Sequence, residues 1–292
     1  MITSALAFLA WRQMTIMPSQ RITIAIISDV ALILSWDDRR GQLTVFTLPA
    51  DVRIEGVYGV GHYPIGSLRT LEELDPTKTD IVARSIENAL GLPIEGALAV
   101  SARDGDATQI AMRALSPVNL AQLRRGNIPI PTRIRLWWML STLRPDKVVN
   151  VDLGGREVYR TETLADGSSV RLLDTNRFDA VVGSSIEVEE IRTEKLRVRV
   201  VNTTDTSGVG NRVARMVDLA GMVVVAVDSD GPVQAACTIH AKKIIWSTQS
   251  VAFLRSQFGC TLLEEGLDER VDVTVRLGTT YAADFLPTHP PD

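Results

Sequence analysis

Two carboxylates and a set of arginines are the side chains best suited to chemistry on a charged substrate. Asp29 and Asp51 fall at the ends of short apolar runs, and Arg53, Arg69, Arg133 and Arg135 follow in the chain. Carboxylate oxygens suit a magnesium ion, and guanidinium groups grip phosphate oxygens in parallel pairs. Together they would hold a magnesium pyrophosphate. The same residue types also make ordinary turn carboxylates and surface arginines. Asp29 and Asp51 are therefore the candidate catalytic residues, and Arg53, Arg69 and Arg133 the candidate ligand-binding ones. No residue is assigned to a resident metal.

A second motif is Gly208-Val209-Gly210-Asn211-Arg212-Val213, after a strand pattern, with Asp228 beyond the next one. Its spacing resembles the dinucleotide fingerprint, in which glycines let a pyrophosphate approach a helix N-terminus. Val213 occupies the third glycine position, and too little chain follows Asp228 to build a second mononucleotide half. The motif is read as a glycine-assisted strand-to-helix turn. His62, His240 and His289 lack the context of a serine hydrolase or a zinc site. Cys237 and Cys260 are either two buried thiols or one disulfide within a small C-terminal domain. The second option implies an oxidising compartment.

The elements that must position these residues begin with residues 21–55. Three runs, 22–27, 30–36 and 43–48, are rich in Ile, Val, Leu and Thr and read as strands. Residues 37–41 form a hairpin turn, and residues 57–67 read as a glycine-rich loop. Helices are expected over 68–74, 80–90, 104–115, a stretch opened by Ser116-Pro117, and 131–143. In that last helix at least one of Trp137 and Trp138 is expected in the core. Residues 147–153 read as a strand, and 157–163 with 169–173 as a hairpin around Asp166-Gly167. A helix over 175–182 precedes an acidic stretch with Glu187, Glu189, Glu190 and Glu194, read as a linker.

The final unit alternates strands at 196–201, 222–227, 238–245 and 271–277 with helices at 208–220 and 248–258. Strand 222–227 reads as buried. That order predicts a compact α/β sandwich. The domain organisation is residues 1–20 as an N-terminal helix or partial signal anchor, 21–185 as a first α/β domain, 186–195 as linker, 196–283 as a second domain, and 284–292 as a tail.

At 292 residues with 45% apolar side chains the chain is long and apolar enough for packed cores. Its net charge of −4 gives no nucleic-acid footprint. Residues 1–11 are apolar and uncharged, with Arg12 next. That run is shorter than the ~20 residues needed to cross a bilayer. It reads either as a buried or amphipathic first helix, or as the trailing half of a signal anchor.

Residues 196–283 resemble the C-terminal domain of LytR-type envelope proteins. The likeness rests on Val200-Val201-Asn202-Thr203-Thr204, Ser207-Gly208-Val209, the helix ending Leu219-Ala220-Gly221, and the closing Val271-Asp272-Val273-Thr274-Val275-Arg276-Leu277-Gly278. The first domain is similar to the catalytic domain of the LytR-CpsA-Psr family. Ile27-Ser28-Asp29-Val30 stands for its Arg-Ser-Asp-Thr, Pro49-Ala50-Asp51 for its Pro-Arg-Asp, and Gly91-Leu92-Pro93-Ile94-Glu95-Gly96 for a later Gly-Ile-Pro-Ile-Asp segment.

The resemblance implies a divergent LytR-CpsA-Psr-like α/β domain followed by a small α/β sandwich. It also implies a single-pass membrane anchor and an extracytoplasmic location. For members of that family the activity is transfer of polyprenyl-linked glycopolymers to peptidoglycan, using magnesium, acids and pyrophosphate-binding arginines, and the resemblance implies the same setting here. Ile27 and Ala50 replace two of those arginines, and Arg133-x-Arg135 is not the family's later Arg-x-Arg segment. The expectation is therefore a degenerate transferase without a cofactor, acting in binding or envelope organisation with a glycopolymer or protein partner. The alternative is an active divergent transferase that uses magnesium, with Arg53, Arg69 or Arg133 replacing the lost groups.

Overall fold

The computed structural model describes residues 21–74, 80–100, 106–116, 128, 130–155, 157–265 and 270–283. The stretch opened by Ser116-Pro117, the anchor region 1–20, the tail 284–292 and His289 lie outside these residues.

In chain order, strands β1 (Arg21–Ile27), β2 (Val30–Asp37) and β3 (Gln42–Pro49) come first. Then follow β4 (Arg53–Gly56), β5 (Gly61–Pro64), α1 (Leu68–Leu74), α2 (Ile81–Leu90), β6 (Ala97–Ala99), α3 (Ala107–Leu115), α4 (Ile130–Thr142) and β7 (Val148–Asp152). After them come β8 (Tyr159–Thr163), β9 (Ser169–Leu173), α5 (Thr175–Ile186) and α6 (Glu189–Glu194). The remainder is β10 (Arg197–Asn202), α7 (Val209–Leu219), β11 (Val223–Ser229), β12 (Thr238–Ala241), α8 (Gln249–Phe258), β13 (Thr261–Glu264), β14 (Val273–Leu277) and α9 (Thr279–Ala283). No helix among the described residues is long and apolar enough to cross a membrane.

The chain folds into two compact units, and it leaves the first before completing it. One unit comprises Met1–Ala50 and Glu95–Gly154, the other Asp51–Ile94 and Gly155–Asp292. The first unit is built on a sheet of order β6-β1-β2-β3-β7. β1, β2 and β3 pair antiparallel, Ile24 opposite Leu34 and Ile33 opposite Phe46, while β6 and β7 add in parallel at the edges. β1 and β2 are buried on both faces, which explains runs of Ile, Leu and Val without polar alternation. Asp37 Oδ1 accepts the N–H groups of Arg39 and Arg40, so one carboxylate fixes the β2–β3 turn. Ile110, Ala111, Ala114 and Leu115 of α3 and Leu136 and Leu140 of α4 close over this sheet.

The second unit contains two sheets, β5-β4-β9-β8 and β11-β10-β14-β12-β13. The stretch 57–67, expected as a loop, instead makes β5, which pairs antiparallel with β4. Gly59 in the turn before β5 and Gly61 at its first position adopt positive φ, where a side chain would be strained. The expected hairpin around Asp166-Gly167 is present as β8–β9, with Gly167 at φ +81°. The stretch read as a linker is helical: α5 runs to Ile186, and α6 buries Ile191 in the core of the second unit.

That core is filled by Val198, Val200, Val213, Val217, Ile239, Val251, Leu254, Val273, Val275 and Leu277, and it also takes in Val57 from the β4–β5 turn. β11 is an edge strand with Val223, Val225 and Val227 exposed, not the buried strand its composition suggests. Its pairing with β10 slips by one residue near Val225, a bulge of the sort that discourages edge-to-edge pairing.

Candidate functional site

The predicted site residues do not form one cluster. Asp29 lies in the tight turn between β1 and β2 of the first unit and is exposed. Asp51 belongs to the second unit, where both its carboxylate oxygens accept Nη2 of Arg171 at 2.7 Å. That hydrogen bond holds Asp51 below the usual carboxylate range. Arg69 lies on α1, and its guanidinium is taken by Glu72 at 3.0 Å and Glu73 at 3.1 Å.

Arg133 belongs to α4 and is only 2% exposed. Its Nη2 donates to the carbonyl of Ala114 at 2.6 Å and its Nε to that of Leu115 at 3.4 Å. These are the terminal carbonyls of α3, which have no partner within their own helix. Arg133 is thus a helix cap supplied from another helix, and burial lowers its pKa. Arg135 pairs with Asp38 at 3.1 Å.

Arg53 lines a pocket. The pocket holds about 290 Å³ and lies at the β5-β4-β9-β8 sheet. Register puts Arg53 opposite Leu172 and Leu172 opposite Arg160, one row across three strands. His62 of β5 pairs with Glu55 of β4, and Asp174, Thr175 and Asn176 bring in the start of α5.

The two acids in the lining are engaged elsewhere. Glu55 pairs with Arg212 at 3.5 Å, while Asp174 accepts the N–H of Arg177 at 3.1 Å and pairs with its guanidinium at 3.5 Å. Among the described residues the side chains of Arg160 and His62 have no hydrogen bond or ion pair, and Arg53 feels only the nearby charge of Asp166. An arginine pair whose two lining acids are each engaged by another arginine is an anion-binding arrangement. Sequence reasoning passed over His62 and Arg160, because only strand pairing brings positions 53, 62 and 160 together.

Asp51 has both oxygens on Arg171, and no group of three or more His, Cys, Asp or Glu among the described residues could hold a metal. The glycine motif of α7 is a turn device. Gly208 caps the helix at φ +85°, and Gly210 lies so close to Val227 and Asn202 that a Cβ would meet Val227 at 3.1 Å. Asp228, which a ribose would require, is paired with Arg199 at 2.6 Å. His240 hydrogen-bonds Glu265 and Thr238.

Cys237 and Cys260 form a disulfide. It lies one position before the parallel pair Thr238 and Thr261, and the N–H of Thr261 donates to the carbonyl of Cys237. Residues 195–281 match the family model LytR_C, LytR cell envelope-related transcriptional attenuator. The C-terminal segment is a LytR_C domain. In this chain the LytR_C domain comprises the β11-β10-β14-β12-β13 sheet with α7, α8 and α9.

Curated proteins yield no match. Among solved structures, the transcriptional regulator yvhJ from Bacillus subtilis is 12% identical, with 57% of this chain and 95% of that chain covered and a TM-score of 0.41. TagT of B. subtilis is 9% identical over 56% of this chain and 89% of that one, TM-score 0.39. A LytR-CPS2A-psr family protein, YwtF (TagT), with bound octaprenyl pyrophosphate lipid, is 10% identical over 56% and 88%, TM-score 0.39.

Proposed function

We propose that this is an extracytoplasmic envelope protein, held at the membrane by an N-terminal anchor, that binds an anionic glycopolymer and does not transfer it. The observation that carries the reading is the division of labour among the arginines. Arg69 and Arg133, two candidates for gripping a diphosphate, are committed to glutamates and to helix carbonyls. Arg53 and Arg160 remain in the pocket with His62, beside acids already paired away from it. Such a pocket attracts negative charge but offers no free carboxylate to take a proton. The LytR_C domain supports the envelope setting. The disulfide supports an oxidising compartment, since cytosolic thiols are kept reduced.

The test is the purified full chain incubated with magnesium and a polyprenyl-pyrophosphate-linked glycopolymer. The expected result is retention of the glycopolymer without release of polyprenyl phosphate, with retention lost in Arg53→Glu and Arg160→Glu. Catalytic release would establish instead the alternative, an active phosphotransferase attaching the polymer to peptidoglycan. That alternative draws on the same two arginines, but requires Asp174 or Glu55 to leave its present partner.

A further inference from the structure

Helix α4 is apolar on two faces. Leu136 and Leu140 are buried in the core of the first unit, and Trp137, Met139 and Leu143 pack against it. Along the other side Ile130, Ile134 and Trp138 recur at every fourth residue and are 59%, 40% and 65% exposed. One turn is 3.6 residues, so these three side chains form a single stripe. A soluble surface helix carries polar residues there; one that is apolar all round belongs in a core or against lipid. We propose that this stripe rests on the lipid surface, with Trp138 at the headgroup level.

The position of the helix argues for lipid over other occupants. Arg135, between Ile134 and Leu136, pairs with Asp38 in the β2–β3 turn. The adjoining Asp37 holds Arg21, the first residue of β1. The chain therefore enters the first unit at the end of the sheet to which α4 is tied. Upstream, residues 1–11 are apolar and uncharged, and only nine residues separate them from Arg21. Nine residues span at most about 30 Å. An apolar stripe so placed lies within reach of any bilayer that takes up residues 1–11. Exposed Trp and a flanking Arg144 match the chemistry of the interface, where amphipathic rings and cations settle. The three side chains offer on the order of 300 Å² of apolar surface. A stable protein interface needs about 800 Å² from each partner. A second copy would need more than this stripe, whereas a lipid surface needs no matched shape.

The inference rests on the membrane attachment proposed above, and one experiment separates the two. The full chain is mixed with phosphatidylcholine–phosphatidylglycerol vesicles, with and without bromine on the upper acyl chains, and tryptophan quenching is read beside co-flotation. Wild type should float and be quenched. Trp11 ends the apolar stretch and would itself be quenched, so every protein compared carries Trp11→Phe; in that background Trp138→Phe should float but lose most of the quenching, and Ile134→Asp should float through its anchor and lose the component due to Trp138. Equal quenching in all three proteins overturns the inference and leaves the anchor standing. Failure of wild type to float overturns both. Sedimentation without vesicles that shows a dimer abolished by Ile134→Asp assigns the stripe to a second copy and overturns it as well.

Discussion

Reduction of the Cys237–Cys260 disulfide gives the most quantitative check on this structure. The bond closes a loop with a sequence separation of 23 and joins the starts of β12 and β13 beneath α8. In the chain-entropy description, freeing a loop of that length raises unfolded-state entropy enough to lower stability by about 3 kcal/mol. Both half-cystines are only 5% exposed and sit in the core, so reduction should leave the folded state recognisable while the unfolded chain gains freedom. The assay is urea unfolding of the full chain followed by far-ultraviolet circular dichroism, with and without reductant. At m values of about 1–3 kcal/mol/M, the midpoint should fall by about 1–3 M. Alkylation of native protein purified without reductant should label no thiol. A midpoint that reductant leaves in place, or two thiols labelled in the oxidised sample, would rule out a stabilising bond between Cys237 and Cys260 and remove its support for an oxidising compartment.

Other outcomes follow from single contacts. Arg133→Ala should cost about 3 kcal/mol, because it opens a buried space and removes the hydrogen bonds that Arg133 gives to the carbonyls of Ala114 and Leu115, yet glycopolymer retention should be unchanged. Glu194 accepts the N–H groups of Gln249 and Ser250 at the start of α8; Glu194→Ala should destabilise the second unit by about 1–3 kcal/mol, read by urea titration. Asp272, held below the usual carboxylate range by Arg197, is charged in the folded state to lower pH than in the unfolded chain. Its stabilising effect is present above its unfolded value near 3.8 and is lost as pH falls through the lower folded value, so Asp272→Asn should flatten the acid limb of a stability–pH curve. Glu72 behaves oppositely. Burial raises its pKa, so its charged form becomes a cost as pH rises past about 4.5, and Glu72→Gln should gain relative stability above that pH.

The parts of this molecule legible in its sequence are those set by neighbours in the chain. β1 to β3 announce themselves by β-branched runs and a polar turn, α7 by its apolar periodicity, and β8–β9 by Asp166-Gly167. β5 was obscured because glycines that permit a tight hairpin also look like loop composition. α6 was obscured because four glutamates outweigh Ile191, whose burial depends on a core assembled from distant segments. β11 was misjudged for a similar reason: a run of valines reports strand, but its place at the edge is set by topology. The site suffered most. Asp51 and Arg171 are 120 residues apart, and Arg133 finds its acceptors 18 and 19 residues upstream. No local spacing shows that these charges are already spoken for.

The guanidinium of Arg215 ties the LytR_C stretch to earlier parts of the second unit. It grips Asp179 of α5 through two bonds and also reaches the carbonyls of Asn88 and Ala89 at the end of α2. Val57 and Ile191 fill space in the same core. The stretch recognisable as LytR_C thus stops short of the body that folds with it. A shuffled gene carrying 195–281 alone would arrive with an open seam, and a recombinant fragment begun there would bare apolar surface that residues 51–94 and 155–194 now cover. The folding unit is therefore discontinuous in the chain, and a transplanted 195–281 should fold only when those earlier stretches travel with it.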